Sequence, residues 1–124
     1  MALRQVIYAA AVLLLLACSG CALQKEADAK FGDQNFKTSI ALVELYHTRY
    51  GVYPETLREI KFAGDWDALA LNSVRYKRDG NGYDLDVVRG WVGAPELSFP
   101  AEFWHGLGIV SSNVGGAPRQ TPGM

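Results

Sequence analysis

The sequence predicts an α+β fold, with one long helix packed on a small antiparallel sheet. Two patterns predict it. Phe36, Ile40, Val43, His47 and Tyr50 recur at spacings of four, three, four and three, which gathers them on one helical face. Further along the period falls to two. Val74, Tyr76 and Arg78 alternate with Arg75 and Lys77, and Tyr83, Leu85 and Val87 alternate with Asp84 and Asp86. Between the two runs, Asp79-Gly80-Asn81-Gly82 has the turn chemistry of a hairpin with one apolar face.

The chain opens with a basic residue, Arg4, then an uncharged apolar run over residues 6–17, then the small residues Cys18, Ser19 and Gly20. That is the order of a secretory signal peptide, and the apolar run is shorter than the roughly 20 residues of a membrane span. Extending the uncharged stretch to Leu23 keeps a plain membrane anchor open, and cleaved soluble export is the third reading. Leu15-Leu16-Ala17-Cys18 resembles the lipobox of bacterial lipoproteins, and Cys18-Ser19-Gly20-Cys21 resembles it at its last three positions. The expectation is a signal peptide over 1–17 with palmitate-type acylation at Cys18 (alternatively 1–20 and Cys21), followed by a lipid anchor and tether over 18–32. Choosing Cys18 leaves Cys21 as a free thiol in an oxidising compartment. Neither Ser19 nor Ala22 is an aspartate, and by resemblance to Gram-negative lipoproteins this implies an outer-membrane protein facing the periplasm. No cysteine lies beyond Cys21, so the folded domain holds no internal disulfide.

The remainder allows one compact domain, expected over residues 33–114. The first helix is expected over 33–50, its stripe widened by Ala41, Leu42, Leu45 and Tyr46. Gly51 is placed to end it in a left-handed turn. Tyr53-Pro54 then opens a short helix through Ile60, with Leu57 and Ile60 on one face. Residues 65–71 read as another helical turn or a loop held by Trp66 and Leu69. After the hairpin, Trp91 and Val92 are expected in a third strand following Gly90, and residues 107–110 in a short edge strand. Residues 115–124 lack apolar content and are expected to form a disordered tail.

Twelve basic residues against 13 acidic ones leave no charge excess that would select nucleic acid. Asp79, Asn81, Asp84 and Asp86 crowd oxygens into one segment as a calcium site would. The same Asp-Gly-Asn-Gly run is what the hairpin turn needs, Asp84 and Asp86 are expected on the solvated face of their strand, and no glutamate completes an EF-hand. His47 and His105 are isolated and do not make a zinc site. Ser111-Ser112 lacks a nucleophile-elbow context, and Glu44, Arg49, Glu55, Arg58 and Glu59 read as a solvated helix surface. No cofactor and no enzymatic activity are expected. Phe99, Phe103 and Trp104 either cap the open side of the sheet or form an exposed patch that marks a partner surface.

One likeness bears on about half of the chain. Tyr46-His47-Thr48-Arg49-Tyr50-Gly51-Val52-Tyr53-Pro54-Glu55-Thr56-Leu57, the end of a helix at glycine followed by Tyr-Pro and a leucine three residues on, resembles type II secretion pseudopilins and related pilin-like proteins. The hairpin around Asp79-Gly80-Asn81-Gly82-Tyr83 is similar to the sheet that follows there. The likeness covers residues 36–87 and implies a pilin-like headpiece. The prepilin-peptidase site and the Phe-Thr-Leu-x-Glu helix of that family are absent, so filament assembly is not implied. The functional expectation is a lipid-anchored, non-enzymatic binding or accessory component with a protein partner in the cell envelope, beside a secretion or pilus apparatus. The alternative is a small inhibitor or immunity lipoprotein that blocks an envelope hydrolase or toxin.

Overall fold

The computed structural model describes residues 2–120, apart from the side chains of residues 15–19. Helix α1 (Ala2–Tyr50) runs unbroken through the apolar leader, the expected tether and the expected domain helix. The tether is therefore helical, as alanine-rich sequence favours. Up to Leu23 the described apolar side chains of α1 stand exposed, Leu3 at 75% and Leu23 at 65% among them. No helix among the described residues is long and apolar enough to cross a membrane.

Only the second half of α1 carries the globular part. Phe36 and Val43 are fully buried, with Ile40 and Leu42 close behind. Ser39 is also fully buried, and its small side chain lets a second helix approach. That is α2 (Asp65–Asn72), whose Ala70 carbonyl accepts a hydrogen bond from Ser39 Oγ at 3.2 Å. The buried stripe is narrower than the sequence pattern implies. Ala41, Leu45 and Tyr50 face water, because the rest of the fold covers only the side of α1 that carries Phe36, Ser39, Ile40, Leu42 and Val43. At the end of α1, Gly51 takes a φ of 77° and its N–H donates to the His47 carbonyl at 2.8 Å. This is the left-handed cap that only glycine adopts without strain. Past Tyr53-Pro54 the expected short helix is a single 3₁₀ turn, Leu57–Glu59.

The hairpin forms as expected. Strands β1 (Val74–Asp79) and β2 (Gly82–Val87) pair antiparallel with Tyr76 opposite Leu85 and Arg78 opposite Tyr83. The two-residue turn uses Gly80 at φ 59°. The rest of the sheet departs from expectation. Residues 91 and 92 form no strand, and the third strand is β3 (Ile109–Ser111), parallel to β2, giving a mixed sheet in the order β1-β2-β3. The segment expected as a short edge strand thus supplies the third one. Residues 115–120, expected within a disordered tail, return to the fold. Gly115 exchanges backbone hydrogen bonds with Leu97 and Phe99 at 2.8 and 2.9 Å, and Ser112 N–H donates to Arg119 carbonyl at 3.0 Å. Backbone pairing orders this segment where apolar side chains could not. Residues 121–124 of that expected tail lie outside the described residues.

Candidate functional site

A concave surface lies where α1, α2 and the 88–93 loop meet. Phe31, Gln34, Asn35 and Thr38 line it from α1, Trp66, Asp67 and Leu69 from α2, and Arg89 and Trp91 from the loop, around a volume of roughly 670 Å³. The α1 contribution follows from spacing, since residues 31, 35 and 38 fall on one helical face. Helix α2 is started by Asp67, whose Oδ2 accepts from the Gly64 N–H at 2.9 Å, and is held flat on α1 by the Ser39 contact. Trp66, on the groove side of α2, is 83% exposed. Trp91, which lines the same groove, is 56% exposed. A folded domain normally buries rings of this size, and here two stand in water beside one groove.

Trp91 is placed by a single carboxylate. Asp28 Oδ1 accepts hydrogen bonds from the backbone N–H groups of Trp91, Val92 and Gly93 at 3.0, 2.7 and 2.9 Å. Three successive amides converging on one oxygen form a nest for an anion, here supplied by the chain itself. This capture is why residues 91 and 92 do not extend as a strand: their donors are spent on α1. Gly90 permits the approach, because a Cβ there would collide with the Asp28 backbone. The Val92 and Gly93 N–H groups, followed by that of Trp91, hold the Asp28 carboxyl below the ordinary value of 3.8 against the opposing pull of desolvation. A lowered carboxylate contributes stability above its unfolded value and loses it as pH falls through the lower native one. The amide shifts of residues 91–93 should therefore titrate with a midpoint below 3.8 and stay flat in Asp28→Ala. A midpoint at or above 3.8 would contradict the nest.

A second carboxylate organises the opposite end of the domain. Glu44 accepts from Tyr53 Oη at 2.9 Å, from Tyr83 Oη at 2.7 Å and from the Gly108 N–H at 3.0 Å. It is not part of a solvated surface. His47 lies beside this cluster, stacked on the Tyr53 ring at 4.2 Å. His105 is exposed in a turn.

The residues singled out from sequence are distributed as follows. The side chain of Cys18 lies outside the described residues, while Cys21 is a free, exposed thiol on α1. Trp104 is 6% exposed and, with the half-buried Phe99 and Phe103, stacks around Phe36, with centroids 6.0 to 6.4 Å from its ring. These rings close one end of the core, with Trp104 buried and Phe99 and Phe103 keeping part of their surface in water. Asp79, Asn81, Asp84 and Asp86 are not brought together as ligands. Asp79 pairs with Arg119, and Asp86, expected in solvent, is 4% exposed, paired with Arg75 at 2.7 Å and accepting from the Asn113 N–H. The turn at 112–114 folds over that end of β2 and shuts Asp86 in. Asp84 lies opposite Lys77 in the register, and its Oδ1 is buried without a hydrogen-bond partner. Among the described residues no group of three or more His, Cys, Asp or Glu side chains is placed to hold a metal ion.

The groove was not anticipated from sequence. Trp66 read as a residue holding a loop and Trp91 as part of a strand. The available signal was Phe31-x-x-Gln34-Asn35-x-x-Thr38, a half-polar face next to the core face of the same helix. Comparison with family models, with curated proteins and with solved structures gives no match for this chain.

Proposed function

We propose that this protein is a lipid-anchored binding component of the bacterial cell envelope, with a pilin-like headpiece carried on α1 and no catalytic task of its own. The observation that carries the reading is the groove flanked by the exposed Trp66 and Trp91, set on a helix that leads back to the lipobox cysteine. Ten residues separate Cys18 from Asp28, so the 90–93 loop would stand about 15 Å along α1 from the acylated sulfur. The exposed apolar side chains of Val6, Ile7, Tyr8, Val12, Leu13 and Leu14, following the basic Arg4, support translocation as a signal peptide. The order Leu15-Leu16-Ala17-Cys18 supports acylation there, and Ser19 supports outer-membrane sorting with the headpiece facing the periplasm. Support for a binding rather than a catalytic role comes from Asp28 Oδ1 and both Glu44 carboxylate oxygens, which are already engaged in holding the fold.

Metabolic labelling with palmitate tests the placement. The chain should take up label and sediment with membranes, Cys18→Ala should abolish both, and Cys21→Ala should retain them. An unlabelled chain with both thiols intact would overturn the proposal. Association with a secretion or pilus apparatus is tested by mild crosslinking in cells: recovery of its subunits is the expected result, whereas a single hydrolase or toxin would make the protein an inhibitor.

A further inference from the structure

We propose that the Trp66–Trp91 groove binds a neutral saccharide, with pyranose rings stacked on the two indoles. The inference rests on reading the chain as a binding component and names the ligand class of that same site. The groove volume of roughly 670 Å³ lies within the range of small-ligand sites. Its lining includes two indoles open to water, Trp66 at 83% and Trp91 at 56% exposure. From α1, beside the apolar Phe31, come Gln34, Asn35 and Thr38, each able both to donate and to accept a hydrogen bond.

That combination discriminates among ligand classes. A pyranose ring has an apolar C–H face and a rim of hydroxyls that donate and accept, matching an indole plane beside amides and a hydroxyl. An acyl chain would strip water from Gln34, Asn35 and Thr38 and give no hydrogen bond in return. The lining carries one carboxylate, Asp67, and one guanidinium, Arg89, so the site has no net charge to select an anion or a cation. Asp67 Oδ2 is moreover engaged by the Gly64 N–H. Asp28 is a positioning residue, because it fixes the backbone that carries Trp91.

The test titrates the full-length protein in detergent micelles with chitotetraose, cellotetraose and maltotetraose, followed by tryptophan fluorescence and calorimetry. Saturable binding of at least one of the three is expected. Trp66→Ala and Trp91→Ala should each weaken it by on the order of tenfold, the loss of one stacked face. Asp28→Ala should weaken it through Trp91 while leaving the effect of Trp66→Ala intact. Near-UV circular dichroism from the buried Trp104 verifies folding of each variant. Silence toward all three sugars, or binding that survives the double Trp66→Ala, Trp91→Ala change, would overturn the inference. Saturable binding of a peptide or of phospholipid vesicles at these indoles without sugar binding would overturn it too. A chain that takes up palmitate but ignores sugars defeats this inference alone. One that binds sugars yet carries no lipid defeats only the envelope placement.

Discussion

Glu44→Ala is expected to destabilise the domain by about 3–5 kcal/mol. Three groups lose their acceptor at once: the Tyr53 and Tyr83 hydroxyls and the Gly108 N–H. Tyr83 is fully buried, so its hydroxyl finds no water in exchange. Each donor left unsatisfied costs about 1–3 kcal/mol, and the carboxylate had made charge-assisted bonds to all three. Glu44→Gln keeps one carbonyl oxygen but turns an NH₂ toward other donors, and about half the loss is expected there. Urea unfolding reads both changes, and for a domain of this size the alanine variant should melt roughly 12–40 °C lower. A loss under about 1 kcal/mol would show that the cluster does not hold α1 to the sheet. The same cluster sets the alkaline limit. Burial, and then Glu44, pushes the Tyr53 hydroxyl up to about 12 from the ordinary 10.0, and Tyr83 is raised further by the same causes. The native state therefore keeps protons that the unfolded chain releases. Stability should hold below pH 10 and fall as pH rises from 10 toward 12.

Glu44 also shows what local pattern hides. On a helix read alone it is one of several charged residues suited to near-neighbour pairing, and its real partners lie 9, 39 and 64 residues further along the chain. The same holds for Asp28, which reaches the 91–93 amides across at least 63 residues and removes the strand that Trp91 and Val92 would otherwise form. Features fixed within a few residues were legible: the Phe36–Ile40–Val43 row, the Gly51 stop and the hairpin. A short strand near residues 107–110 was legible too, but its parallel direction was not, because three residues carry too little alternation to reveal it. The groove escaped for a different reason. A tryptophan in a small domain reads as core, and only the placement of α2 on Ser39 turns Trp66 outward.

Phe36→Ala is expected to cost about 3–5 kcal/mol, the range for a buried phenylalanine whose cavity cannot collapse. The ring is fully buried and stacks on Phe99 and Phe103 while meeting Trp104 edge-on at 6.0 Å. It is thus the contact that fastens residues 97–105 to α1, and its loss should loosen that segment before the hairpin. Trp104 emission should shift to the red, and amide exchange should accelerate over residues 99–107 while β1 and β2 stay protected. Phe103→Ala, at a half-buried ring, should cost less than half as much. If Phe36→Ala does not fold, Phe36→Leu keeps most of the volume and should lose about 1–1.5 kcal/mol with the same direction of Trp104 shift. A loss below about 1 kcal/mol in Phe36→Ala, with Trp104 emission unmoved, would detach the three rings from the core and return them to the surface as a partner site.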